Sequence, residues 1–338
     1  MTDCRWLGLD VGGANLKASE GQTSVSHGFA LWRDPAGLTD ALQALVAKLP
    51  NATALAATMT GELADCYATK AEGVHAIVEA LETVADGRPL RLATNDDRWL
   101  TPGEARADPP RVAAANWRVF ARAAAEALRL PDALVIDVGS TTTDITPIRG
   151  GLVAADGVDD TSRLIAGELL YIGVRRTPVC ALVDTLPVGG TECPVANELF
   201  ATTADAWLLV GETDPSDLTD TADGRPLDAR SARARLARCV CADTTSFTAE
   251  DAQAAAHRIV SRQVGALAEA MQRAQAGGLL PVVAAGEGEF LVVRAQARLG
   301  VSSPLTRCSA SLGESATVAG PAWAAARMVA SELAAFHE

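Results

Sequence analysis

Aromatic side chains make up only 4% of the 338 residues, so the cores must be filled mainly by Ala, Leu and Val. No apolar run approaches the roughly 20 residues that cross a bilayer. The opening stretch MTDCRWLGLD has neither a basic region nor a long apolar one, and a cytoplasmic protein is expected. Positive charge is scarce as well: 29 basic residues face 42 acidic ones, a net charge of −13. Such a surface repels nucleic acid and anionic membrane, which argues against both as partners and requires any phosphate site to be local. The seven cysteines are odd in number and widely spread, which fits reduced thiols rather than a disulfide framework. Cys239 and Cys241 form a C-x-C pair with no second pair or His at zinc-ligand spacing, and read as structural thiols.

What the chain does have is length for two domains and 49% hydrophobic residues, with a mean hydropathy of +0.13. It also has a repeated segment. Residues 7–17 (LGLDVGGANLK) and 134–148 (LVIDVGSTTTDITPI) are each an apolar run ending in Asp-Val-Gly, followed by small and hydroxyl residues. A charged residue stands seven positions after the Asp, Lys17 in one copy and Asp144 in the other. Each copy reads as a buried strand, a glycine turn and a returning strand, with Pro147 expected to interrupt the second return. The Gly12-Gly13 and Gly139-Ser140-Thr141 turns can present backbone N–H groups to a phosphate. Asp10 and Asp137 can hold Mg²⁺ through water. Two copies imply two related halves and a phosphate clamp with two sides.

Between the copies, the pattern predicts a strand over 25–32, a helix over 38–49 and a strand over 53–59. Thr60 and Glu62 follow at a strand's C-terminal end, where open α/β sheets place ligands. Glu62 is equally readable as an acid at a helix start, favoured by the dipole. A helix over 73–85 and a strand over 90–94 put Asn95 at the same end. Residues 101–110 read as a loop and 112–130 as a helix whose Trp117 either lines a cleft or packs on a sheet. In the second half, Arg175 and Arg176 can grip a phosphate or carboxylate, although strand alternation would aim only one of them inward. A short helix over 198–204, a strand over 206–210 and an acidic loop over 213–226 follow; the loop is either solvated or holds a cationic substrate or metal. Helices over 231–242 and 249–275 lead to a last strand over 279–285. Gly286 and Gly288 then allow a flat group to approach the backbone, and an Ala-rich helix spans 314–336.

The paired segments resemble the first and second phosphate motifs of the actin, sugar-kinase and Hsp70 superfamily, and within it the hydantoinase-A/oxoprolinase branch. TMTGELADC (58–66), ATNDDRWL (93–100), GELLYIGVRRTPVCAL (167–182), ELFATTADAWLLVGE (198–212) and DTADGRP (220–226) more closely resemble the family linked to the tetrahydromethanopterin one-carbon pathway, whose archaeal member is methanofuran synthase. The likeness runs over nearly the whole chain. It implies an α/β fold of two ribonuclease-H-like, actin-like ATPase domains around a cleft: 1–130 plus the C-terminal helix 314–338, and 131–313. It implies a transferase that joins an aminomethylfuran diphosphate to the phenol of a (glutamyl)tyramine or tyrosine derivative, with Mg²⁺ as cofactor and diphosphate released.

On that resemblance Asp10 and Asp137 would hold the metal. Gly12, Gly13, Asn15 and Lys17 on one side, and Gly139, Ser140, Thr141 and Thr142 on the other, would surround the diphosphate. Asp144 or Glu62 would take the phenol proton, while Thr60, Asn95, Tyr171, Arg175 and Arg176 would contact substrate. The wider superfamily implies two alternatives. One is an ATP-dependent kinase or amide-ring hydrolase, with adenine seated at Gly286 and Gly288; the other is a nucleotide-binding protein without turnover.

Overall fold

Each repeated segment seeds a sheet, and the two sheets share one strand order. The computed structural model describes residues 4–217 and 219–335. Trp6–Val11 (β1) turns at the glycine pair into Asn15–Ser19 (β2), which pairs in turn with Ser24–Gly28 (β3), all antiparallel. Ala54–Met59 (β4) and Leu90–Ala93 (β5) add in parallel on the other side of β1, and Trp99–Leu100 (β6) closes the edge. The order is β3-β2-β1-β4-β5-β6.

In the second sheet Ala133–Val138 (β7) runs antiparallel to Thr143–Arg149 (β8), which pairs with Leu152–Val153 (β9) and Leu169–Leu170 (β10). A separate hairpin, Thr185–Val188 (β11) with Thr191–Pro194 (β12), precedes Val282–Ala285 (β13) and Leu305–Arg307 (β14), both parallel to β7. The order β10-β8-β7-β13-β14 repeats the first sheet's pattern of two antiparallel and two parallel neighbours around a founding strand. The fold is therefore α/β with two mixed, ribonuclease-H-like sheets.

Helices Leu38–Val46 and Lys70–Ala85 cover one face of the first sheet, in a core of Leu, Val, Ile and Ala. Helix Gly320–Ala335 lies on its other face against β1, β2 and β4. The fit is so close that a Cβ on Gly8 would overlap the Ala322 carbonyl oxygen. Helix Asn116–Ala127 runs beside Gly320–Ala335 and packs on β7 and β8, so these two helices form the layer between the sheets. Helix Ala249–Ala274 covers the far face of the second sheet. No helix among the described residues is long and apolar enough to cross a membrane.

Several local expectations are corrected. Pro147 does not interrupt β8; it stays in the strand opposite Leu134, and its carbonyl accepts from the Ala154 N–H. Residues 101–110 are not all loop, because Thr101 and Glu104 form a reciprocal cap that starts helix Pro102–Ala107, with Pro102 at a position where its missing N–H costs nothing. The strand expected over 206–210 is part of helix Thr203–Leu209, started by the Thr202–Asp205 capping box. The strand at 282–285 is not the last, since β14 follows it. The C-terminal helix breaks at Ala319, and its predicted end at Phe336 lies outside the described residues.

Candidate functional site

The two hairpins place their charged residues in matching register. Asp10 stands opposite Lys17 across β1 and β2, and Asp137 stands opposite Asp144 across β7 and β8. Directly opposed residues of an antiparallel pair project from the same face, so each hairpin presents two charged groups together. Burial pushes the Asp10 carboxyl up to about 6, against the lowering charge of Lys17. Burial, then the charge of Asp144, pushes Asp137 up to about 7. Lys17 lowers Asp137 as well, while Asp10 and Glu287 raise it, so charged groups from both sheets lie close enough to act on one another. Asp10 Oδ1 and the neighbouring Thr58 Oγ1 are both buried, without a hydrogen-bond partner among the described residues.

The turns divide their N–H groups in the same way. Gly12 donates to the Asn15 carbonyl at 3.1 Å and Gly139 to the Thr142 carbonyl at 2.9 Å, so the N–H groups of these two glycines close the turns and do not face a ligand. The next two N–H groups in each turn, of Gly13 and Ala14 and of Ser140 and Thr141, have no acceptor among the described residues. Thr60 and Gly61 lie against the first turn, both donating to the Val11 carbonyl, at 3.0 and 2.9 Å. The second turn is braced from behind by Gly173–Arg176. Val174 donates to the Gly139 carbonyl, and Arg175 and Arg176 donate to that of Ser140, at 3.1, 3.1 and 2.9 Å. Gly173 packs so tightly on Ser140 and Thr141 that any side chain there would overlap them.

Glu62 follows directly on the segment held to the first turn. It is 1% exposed, and among the described residues neither carboxylate oxygen has a side-chain partner, although the backbone N–H groups of Glu62 and Ala114 lie near enough to lower its proton affinity. Burial pushes its carboxyl up to about 7, with the charge of Asp160 in the second half reinforcing the rise. It is not a helix-start acid, since the helix begins at Lys70 and is capped by Thr69. Asp144 is placed differently: its Oδ1 accepts from Arg163 at 2.8 Å. Arg163, also 1% exposed, bonds the Glu168 carbonyl at 3.1 Å and stands 3.8 Å over the ring of Trp117. Trp117 thus packs between the sheets and meets the second half through a cation–π contact. Sequence reasoning missed Arg163; the signal was the Asp159-x-x-Ser162 cap that starts helix Asp160–Ala166 and carries it inward.

Other candidates are not gathered in. Arg175 and Arg176 lie in a turn rather than a strand; Arg175 pairs with Glu287 at 3.6 Å, while Arg176 pairs with Asp220 at 2.8 Å and stands over Trp32 of the first half. Tyr171 is 67% exposed. Asn95 spends its amide on the Pro110 carbonyl at 3.1 Å. Gly286 and Gly288 lack side chains because β7 is there: a Cβ on the first would overlap Asp137 Oδ1 and the Val138 carbonyl, and on the second the Val138 side chain. Among the described residues no three His, Cys, Asp or Glu side chains are grouped to hold a metal.

The hydantoinase/oxoprolinase family pattern matches residues 53–329. Over 333 residues the chain is 32% identical to the (4-{4-[2-(gamma-L-glutamylamino)ethyl]phenoxymethyl}furan-2-yl)methanamine synthase of Methanocaldococcus jannaschii, covering 97% of this chain and 98% of that protein. It is 30% identical over 204 residues to the protein of the same name from Methanococcus vannielii, covering 59% and 91%. Among solved structures, component A of the (R)-2-hydroxyglutaryl-CoA dehydratase of Acidaminococcus fermentans superposes with a TM-score of 0.46 at 14% identity, covering 97% of this chain and 98% of that one. The activator of the 2-hydroxyisocaproyl-CoA dehydratase of Clostridium difficile gives 0.44 at 11% identity, covering 98% and 97%.

Proposed function

Because the chain belongs to the hydantoinase/oxoprolinase family, we propose that it is a transferase of the kind its methanogen relatives are named for. It condenses an aminomethylfuran diphosphate with the phenol of a (glutamyl)tyramine or tyrosine derivative and releases diphosphate, in the synthesis of a methanofuran-type one-carbon carrier. The observation that carries this proposal is the near end-to-end match to the Methanocaldococcus jannaschii synthase.

The cleft suits such a reaction. Breaking a C–O bond to diphosphate requires stabilisation of negative charge on the leaving oxygens, which fixed N–H dipoles supply without reorganising. The free N–H groups of Gly13 and Ala14 on one wall and Ser140 and Thr141 on the other can grip the diphosphate, with Lys17 adding charge. Asp10 and Asp137 fit a Mg²⁺ ion. Both carboxyls are raised by burial, as expected of groups that lack a cation, and Asp10 Oδ1 has no protein donor. When bound, the ion would neutralise charge on the leaving diphosphate, whose oxygens and water would complete its coordination.

The test is incubation with the furan diphosphate, tyramine or tyrosine acceptors and Mg²⁺ in the absence of ATP. Ether product and released diphosphate are expected. ATP hydrolysis or a phosphorylated product would favour an ATP-dependent kinase or hydrolase, and tight ATP binding without turnover a non-catalytic protein. Asp10→Ala and Asp137→Ala should each abolish product formation with the fold retained; full activity in both would remove them as metal holders.

A further inference from the structure

We infer that Glu62, and not Asp144, removes the phenol proton; this deepens the transferase proposal and rests on it. The two carboxylates are in opposite electrostatic states. Asp144 Oδ1 is held at 2.8 Å by a guanidinium that is itself buried and lies on Trp117. Protonating Asp144 would strip Arg163 of its counter-ion where water cannot replace it. Its charge is already committed.

Glu62 has both oxygens buried and, among the described residues, no side-chain donor for either; only the backbone N–H groups of Glu62 itself and Ala114 approach the carboxyl, outside good hydrogen-bond geometry. Buried carboxylates almost always find well-formed hydrogen bonds within the protein, so the lack of one here points to a ligand O–H. The backbone that carries it stands beside the first turn. Glu62 is next to Gly61, which lies against Gly12 and whose N–H is bonded to Val11 in the first phosphate-facing turn. Ala114, a buried non-glycine residue held at φ +48°, lies against its carboxyl, and such backbone strain clusters at functional sites. The charges facing Glu62 are one of each sign, Asp160 from the opposite half and Lys70 from its own. Burial therefore outweighs the lowering backbone N–H groups of Glu62 and Ala114 and pushes its carboxyl up to about 7, which suits a base working near neutrality.

The step balances without further reactants. The phenol O–H breaks and its proton passes to a Glu62 oxygen. The phenol oxygen forms a bond to the furan methylene carbon, whose bond to the diphosphate oxygen breaks, and that electron pair leaves with diphosphate.

The experiment compares the full-length wild-type chain, Glu62→Gln, Glu62→Asp and Asp144→Asn with Mg²⁺, the furan diphosphate and two acceptors: tyramine, and a ring-fluorinated tyramine whose phenol ionises near neutrality. With tyramine, Glu62→Gln should lower kcat by roughly 10²–10⁴ and lose the acid limb of the pH profile, while Glu62→Asp keeps that limb. With the fluorinated acceptor above its own pKa, the phenolate arrives without needing a base, and Glu62→Gln should recover most of the lost rate. Asp144→Asn should show no such recovery. Wild-type kcat with tyramine in Glu62→Gln, an equal loss with both acceptors, or recovery in Asp144→Asn instead would overturn the assignment while leaving the transferase intact. Ether formation with neither acceptor by the wild type would overturn the transferase proposal itself.

Discussion

Trp207 donates its indole N–H to Gln263 Oε1 at 2.8 Å, and since an indole nitrogen can only donate, this bond orients the amide so that Nε2 reaches the Gly173 carbonyl at 2.9 Å. Both side chains are 0% exposed. Gly173 also accepts from the hydroxyls of Thr177 and Thr203, and it is the residue packed behind Ser140 and Thr141. The buried network thus fixes the back of the Gly139–Thr142 turn, the second wall of the proposed diphosphate site. Gln263→Met should leave the Trp207 N–H orphaned and loosen Gly173, weakening diphosphate binding in Mg²⁺ roughly tenfold. Calorimetric titration with diphosphate reads this directly, and an unchanged affinity would show that the turn does not depend on its support.

Among the described residues Arg163 is the single cation paired with Asp144, and removing it leaves a carboxylate that is only 16% exposed next to Asp137. Arg163→Ala should cost about 3–5 kcal/mol in urea unfolding, the usual penalty for stranding half of a buried pair. Arg163→Lys should not restore this. An ammonium lacks the planar fork needed to reach Asp144 and the Glu168 carbonyl while lying on the Trp117 ring. A loss under about 1 kcal/mol in Arg163→Ala would mean that water replaces the guanidinium.

How much of this was legible in sequence follows from the range of each signal. The repeated Asp-Val-Gly segment announced both hairpins because a strand, a turn and a return are local. The seven-residue offset from Asp10 to Lys17 and from Asp137 to Asp144 became cross-strand pairing. The partner of Asp144 was not legible, because Arg163 reaches it from a helix 19 residues on that only the folded topology brings back. The strand assigned to 206–210 failed for the same reason in reverse. Its apolar run is a helix buried on all sides, where neither periodicity shows, and only the Thr202–Asp205 cap marked its start. Gly286 and Gly288 resembled a nucleotide turn, yet the close approach their glycines permit is to β7.

Two glycines of the first hairpin should respond oppositely to the same change. Gly8→Ala would drive a methyl into the Ala322 carbonyl, so helix Gly320–Ala335 could no longer lie on β1, and the variant should be insoluble or melt far below wild type. Gly13 has nothing within 4 Å of an added Cβ and keeps an ordinary backbone conformation. Gly13→Ala should therefore melt within a degree or two of wild type, while its methyl crowds the anion beside the free N–H and weakens diphosphate binding. Unaltered diphosphate affinity in a well-folded Gly13→Ala would place the anion elsewhere.

Three raised carboxyls, Asp10 and Glu62 buried and Asp137 half-buried, give the protein an unusual stability profile. Asp10, Glu62 and Asp137 are raised from 3.8, 4.5 and 3.8 to about 6, 7 and 7, so each holds its proton more tightly folded than unfolded. Between about pH 4 and 7 the folded chain carries more protons than the unfolded one, and its stability falls as pH rises through that window. The penalty is absent below the unfolded values and complete above the folded ones. Without ligand, the protein should melt higher at pH 5 than at pH 8. Asp10→Asn and Glu62→Gln should each flatten the slope and recover on the order of 1–3 kcal/mol at pH 8 while losing activity. Mg²⁺ with diphosphate supplies the missing positive charge, so binding should release protons and be tighter at pH 8 than at pH 5.5. Melting curves at both pH values, with and without Mg²⁺ and diphosphate, check every part of this. A protein that melts higher at pH 8 without ligand would mean that these carboxyls are ionised and already paired.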